Sequence, residues 1–295
     1  MLKSTKRTDI EAGSVISARG TSGGRIEILS DMTDGQVVAA GSLDASATGT
    51  AGQGGFVETS AAQVGIDAST RVNTSGAYAP GRWVIDPAGF TISSGTASLT
   101  SSGIGADTLV ANLATTPMDI FTTTSGDNIF VDAAVSWNSG NYLKLTAHND
   151  LTVSAPITNA GTGAIHLTAG WDGISTLAPA VVGGTGNILL DAPVSTAGVV
   201  HLIAGGNIDQ TASSIVSASQ VLVKSEGGNV FLIEGNMVGT LAGSAADTFR
   251  FKNGQSLVVG SVGGVNGVTA TGPNAKIEIE ANTGNLTINQ PVRAL

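Results

Sequence analysis

A short phrase recurs down this chain: Asn, apolar, any residue, apolar, two further residues, Pro, apolar. It appears at Asn128–Val135 with Ala in place of Pro, at Asp150–Ile157 with Asp in place of Asn, and intact at Asn187–Val194 and Asn285–Val292. A second phrase alternates apolar and polar residues and mostly closes on a small one: Leu143–Ala147, Ile165–Ala169, Val200–Ala204, Val221–Ser225 and Ile277–Ala281. Self-similarity at a fixed interval marks a repeat architecture before any other feature can be read. Ile129 and Leu151 are 22 residues apart, as are Leu143 and Ile165, and as are Ile208 and Val230; Val200 and Val221 are 21 apart.

Alternation of period two describes a strand with one buried and one wet face. A repeat of 22 residues holding several such strands predicts one turn of a solenoid. The fold class expected is therefore all-β, a three-sided parallel β-helix with Val, Ile, Leu and Ala inside. At 22 residues per turn the chain would make about 13 coils and a rod of roughly 60 Å. Ala106–Ala114 is the exception: Leu109 and Leu113 lie one helical turn apart, so a short helix is expected there.

Four stretches differ in regularity. Residues 1–87 use longer coils, with Gly24–Ile28, Gly55–Thr59 and Gly81–Ile85 spaced by 31 and 26. Residues 88–127 follow Asp86-Pro87, where proline removes a donor and restrains its neighbour, and read as an irregular coil with the helical excursion. Residues 128–236 are the regular coils, interrupted near 170–186 by an insertion, since Ile165 and Val200 are 35 apart; Trp171, Pro179, Gly183 and Gly184 lie within it. Residues 237–295 lengthen their loops before the two phrases return.

Composition supports a packed but weakly charged solenoid. Apolar residues are 41% and charged residues 12%, about half the usual share, the reverse of a disordered chain. Forty-one glycines, with many Ser, Thr and Asn, supply corners. The formal net charge is −9 and no basic cluster exceeds Lys3–Arg7, which argues against nucleic acid as a partner. There is no cysteine, so disulfides and thiolate metal sites are excluded. Met1–Thr8 is basic but is not followed by an apolar stretch as in a signal peptide. No apolar run is long enough for a membrane-spanning helix. Neither terminus reads as the polar cap a solenoid needs, so interior shaft of a longer chain is expected.

Several residues invite a sharper reading. His166 and His201 occupy equivalent outward positions, while His148 belongs to a turn; without carboxylates at ligand spacing they are read as solvated rather than metal-binding. Asp132, Asp191 and Asp209 raise the possibility of a polysaccharide-degrading enzyme, since parallel β-helices include such enzymes. Asp132 and Asp191 are nearly three coils apart by count and lack Arg or Lys nearby, so outward turn carboxylates are the preferred reading. Among the aromatics, Trp171 in the insertion is the candidate for exposed contact with a sugar; Trp83, Trp137, Tyr78 and Tyr142 are assigned to packing. No catalytic, cofactor or metal site is expected.

The stretch Gly54–Ser60, then Val64–Asp67, Val72–Ser75, Gly81–Pro87 and Phe90–Ile92, together with Leu109–Leu113, Asn128–Trp137 and Leu257–Thr269, closely resembles filamentous haemagglutinin-like exoproteins. Members of that family are large bacterial adhesins exported by two-partner secretion. The resemblance implies a right-handed parallel β-helix and an adhesive, non-enzymatic role without cofactor. It also implies an outer-membrane transporter for the full-length protein, a location at the cell surface, and host or neighbouring-cell glycans or proteins as partners. The family's signal peptide and N-terminal secretion domain have no counterpart here. A passive stalk carrying a toxic or adhesive tip, as in contact-dependent inhibition, is the alternative, and a β-helix polysaccharide-degrading enzyme the second.

Overall fold

Strands of the regular region fall into three sets, each stacked on itself. The first side is built from Ile129–Val131, Leu151–Val153, Ile188–Leu190 and Ile208–Gln210; the second from Val135–Trp137, Ile157–Asn159 and Val194–Thr196; the third from Leu143–Ala147, Ile165–Ala169 and Val199–Ala204. Each strand pairs in parallel with its counterpart one coil away, Ile129 with Leu151 and Leu143 with Ile165. This computed structural model describes residues 1–98, 100–174 and 181–295. It is an all-β, three-sided parallel β-helix whose sheet winds about 337° around the axis. Pro179 of the expected insertion lies outside the described residues.

The third side runs without a break from Leu2–Lys3 to Val292–Ala294 through twelve successively paired strands. Eleven spacings make roughly 50 Å. That is shorter than the 13 coils expected at 22 residues each. Early coils are longer, and the insertions consume residues without adding a level. Inside, Ile129, Val131, Val135, Leu143, Leu145 and Ala147 of one coil are fully buried, and the next coil repeats the pattern with Leu151, Val153, Ile157, Ile165, Leu167 and Ala169. Their alternation with wet neighbours fixes which face turns inward, because a slip of one residue would expose the whole set.

Register is held at the corner before the first side by a ladder of Asn and Asp side chains. Asn128 Oδ1 accepts from the backbone N–H of Asp150 at 3.0 Å, Asp150 Oδ1 from Asn187 at 2.8 Å, Asn187 Oδ1 from Asn207 at 2.8 Å, Asn207 Oδ1 from Asn229 at 2.8 Å, and Asn229 Oδ1 from Thr248 at 3.0 Å. A corner peptide cannot join the sheet ladder, so a short side chain on the neighbouring coil takes its donor. Hence the leading Asn or Asp of the recurring phrase.

Residues 88–127 depart from the winding in two ways. Strand Gly103–Gly105 doubles back to lie between Gln63–Ile66 and Phe90–Ser93. The expected helix then forms at Ala106–Leu113 and occupies the second side where a strand would lie, between Arg71–Asn73 and Val135–Trp137. The strand edge it covers still needs partners. Asn112 supplies both, accepting from the Val72 N–H at 2.7 Å and donating to the Thr70 carbonyl at 3.1 Å, while Thr116 bonds the Val72 carbonyl and the Thr74 N–H.

The last two recurring phrases are rotated by one side relative to the expectation. Ile277 pairs with Phe249 on the first side, and Leu286 pairs with Leu257, not with another Asn-led strand of the first side. Residues 248–270 complete one more coil, from Thr248–Asn253 on the first side through Leu257–Val259 to Val268–Ala270 on the third, with a hairpin between the last two. The next strand, Lys276–Ala281, therefore falls on the first side. A phrase that describes a corner fits any of three corners, so only the residue count between phrases decides the side.

Replacing Asn112 by Ala is expected to lower the unfolding free energy by about 1–3 kcal/mol, because the Val72 N–H and Thr70 carbonyl lose their partners in a buried place. Chemical denaturation followed by circular dichroism measures this, with the exposed Asp107→Ala as control.

Candidate functional site

Inward positions are fully occupied by packing, so function must lie on the outward faces. On the third side one outward column reads Glu27, Glu58, Val84, Asp119, Lys144, His166, His201, Leu222 and Ala242 on successive coils. Two segments fold down on it. The first is the insertion after Ala169: Trp171 is buried at 1% exposure, its ring 5.3 Å from that of Phe121, with Val84 and Phe56 completing the patch. The expectation of an exposed Trp171 is therefore overturned. Val84 and Phe121 are large apolar residues at outward positions, and the indole covers them. The unbroken run Trp83-Val84-Ile85 was the available sign that this face is roofed.

The second roof is the antiparallel hairpin of Ser261–Val262 with Val265–Asn266, whose turn residues Gly263 and Gly264 take φ of 57° and 82°. Such a turn requires φ > 0, which glycine supplies. Val262 buries Leu222 and Ala242 beneath it, and Gly263 sits beside His201.

Between the roofs, His166 and His201 meet with Nδ1 atoms 3.0 Å apart, rings near-perpendicular at 75°. One imidazole donates and the other accepts, so the two cannot both be protonated on these nitrogens. They are half-buried rather than solvated, which corrects the sequence reading. Burial, then the neighbouring His201 and Lys144, pushes His166 down to about 4, and burial lowers His201. Tyr142 presents its ring to His166 at 6.1 Å and sets its hydroxyl 3.4 Å from Asp119 Oδ2. Asp119 is almost wholly buried, faces Arg82 at 3.5 Å, and has its carboxyl raised by burial against the opposing pull of Lys144 and Arg82. Asp119, Tyr142, Lys144 and the histidine pair thus form one polar strip across four coils. His148 lies apart, its backbone N–H bonded to Thr122. Among the described residues no group of three or more His, Asp or Glu is placed to hold a metal ion.

At the end of this strip the rod carries a cleft of about 650 Å³ where Arg25 lies 4.0 Å over the Phe56 ring and Arg82 5.4 Å from it. Both guanidinium groups are engaged by carboxylates, Arg25 by Glu27 and Glu58. Its glycine floor is obligatory: a Cβ on Gly81 would fall 1.7 Å from the carbonyl oxygen of Gly55 on the next coil.

Among the described residues, by contrast, none forms a roof over the regular coils of the first side. Its outward column reads Thr91, Phe130, Thr152, Leu189, Asp209 and Phe231. Phe130 is 38% exposed. A cleft of about 690 Å³ contains Thr91, Asn128 and Phe130, and one of about 360 Å³ continues it on the following coils through Thr152, Leu189 and Asp209.

The remaining singled-out residues separate. Trp83 and Trp137 are core, with Trp83 Nε1 bonded to Thr59 and Trp137 Nε1 to the Asn141 carbonyl. Tyr78 is 79% exposed, so its assignment to packing fails; Tyr142 packs, but on the outer face. Asp132 and Asp191 are exposed after first-side strands only two spacings apart, because the insertion adds residues without adding levels. Asp209 lies mid-strand rather than in a turn. Fold and surface define an elongated parallel β-helix with one partly roofed and one open face. No family model, curated protein or solved structure matches the chain.

Protonation of the histidine pair is expected to cost stability. His166 is depressed from 6.5 to about 4, so its contribution is complete above pH 6.5 and lost as pH falls toward 4. Asp86, raised by burial to about 7, has the opposite slope, stabilising at low pH and fading as pH rises to 7. The difference in unfolding free energy between wild type and His166→Gln isolates the first: it should shrink on acidification between pH 6.5 and 4. Parallel pH profiles would contradict the buried neutral pair.

Proposed function

We propose that this chain is a stiff shaft of an exported bacterial surface protein of the filamentous haemagglutinin kind. In this reading it displays binding surface to glycans or proteins of a host or neighbouring cell and is non-catalytic. Export would use an outer-membrane two-partner-secretion transporter. The observation that carries the reading is the unbroken third side, twelve paired strands over one continuous apolar lumen. Such a stack resists bending because every coil is hydrogen-bonded to both neighbours, and its long outer faces suit contact rather than turnover. Solution scattering should give the distance distribution of a rod, and fluorescent protein should attach saturably to cultured epithelial or bacterial cells. A rod that attaches to neither is a spacer, the passive-stalk alternative.

A second reading, a polysaccharide-degrading enzyme, draws support from the strip of Asp119, Tyr142, Lys144 and His166, since perturbed titratable groups gather where proton transfer occurs. Tyr142 is bonded to Asp119 and His166 to His201, which disfavours it. Incubation with neutral and acidic polysaccharides is expected to release no new reducing ends or unsaturated products; release abolished by Asp119→Asn would establish the enzyme instead.

A further inference from the structure

We infer that the open first side is a binding groove for a neutral, linear polysaccharide lying along the rod axis. The inference rests on the surface-binding reading above and assigns it a place and a ligand class. From Thr91 to Asp209 the outward column crosses four strand spacings, about 19 Å. Along it hydroxyl, aromatic, hydroxyl, aliphatic and carboxyl groups follow one another: Thr91, Phe130, Thr152, Leu189, Asp209. A pyranose ring has an apolar C–H face and a hydroxyl rim. An extended glycan advances by about one coil spacing per sugar. Rings can therefore lie on Phe130 and Leu189 while their hydroxyls reach Thr152 and Asp209.

Charge selects among the polymers. Among the described residues the two clefts are lined by Asp34, Asp127, Asp150 and Asp209 and by neither Lys nor Arg; Asp34 is paired with Lys6, which leaves three carboxylates without a basic partner in the lining. Polyanions, whether acidic glycans or nucleic acids, are repelled. Sugar hydroxyls, in contrast, donate to carboxylates. A peptide strand is disfavoured for a different reason. Strand addition needs an unpaired edge, and Ile129–Val131, Leu151–Val153 and Ile188–Leu190 are each paired on both sides.

The test is affinity electrophoresis of the whole chain in gels containing hydroxyethylcellulose, mixed-linkage β-glucan or glucomannan, with polygalacturonate as the anionic control. Retardation by at least one neutral polymer and none by polygalacturonate is expected. Phe130→Ala should weaken binding about tenfold, as loss of one stacked ring implies. Phe130→Trp should retain it, and the outward Thr152→Lys should alter it without changing the circular dichroism spectrum. No retardation by any neutral polymer, retardation only by polygalacturonate, or equal retardation of Phe130→Ala would overturn the groove. Cell attachment of a chain that no neutral polymer retards would reject the groove and leave the shaft reading standing; scattering from a compact particle would reject the shaft itself.

Discussion

Everything in this molecule depends on coil-to-coil hydrogen bonding being completed at the corners as well as along the strands. A strand satisfies its peptide groups by stacking, but each coil must turn, and turning leaves donors pointing at nothing. The Asn128–Asp150–Asn187–Asn207–Asn229 ladder answers this at one corner with side-chain oxygens. Near the end of the regular region Asn236 and Asn253 do the same from inside: each is fully buried, Asn236 Oδ1 accepting from Val216 N–H and Asn253 Oδ1 from Val238 N–H. Where a helix displaces a strand, Asn112 again imitates a peptide group. A short Asn or Asp side chain solves one geometric problem at three places, and burying the Asn amides costs little because each is bonded.

The parts of the fold legible in the sequence are those where this solution repeats at constant spacing. Ile129 to Leu151 and Leu143 to Ile165 pair at the 22-residue interval read from the chain, and the interval of 35 from Ile165 to Val200 marked the insertion. Leu109 and Leu113 likewise announced the helix. Side assignment was not legible at Ile277 and Leu286, because one corner phrase serves all three corners. Nor was the doubling back of Gly103–Gly105, which depends on pairing across some forty residues with Gln63–Ile66.

The surface was less legible than the core, for a physical reason. Alternation tells which residues point outward, but not whether another segment comes down on them. Trp171 was read as exposed because it lies in an insertion; it is buried because Val84 and Phe121 give it somewhere to go. Likewise Leu222 and Ala242 point outward yet lie beneath the hairpin at Val262. Outward apolar residues on consecutive coils are the sign of a roof. By the same test the first side, where Phe130 is followed by Thr152, is the face left open.

Vertical stacking also explains why so few residues are charged. Equivalent positions on neighbouring coils sit one strand spacing apart, so a charge repeated in register repels itself at about 4.8 Å along the whole rod. Where two like charges do stack, a third group intervenes: Glu27 and Glu58 are bridged by Arg25 Nη2 at 2.8 and 3.2 Å. Further along the same column Lys144, His166 and His201 occupy three successive coils. Three cations could not stand there together. The imidazoles instead stay neutral and bond to each other: burial first, and then the neighbouring His201 and Lys144, lowers the affinity of His166 for a proton. Ser, Thr and Asn are the residues that remain when outward groups must be polar and yet tolerate a copy of themselves one coil away.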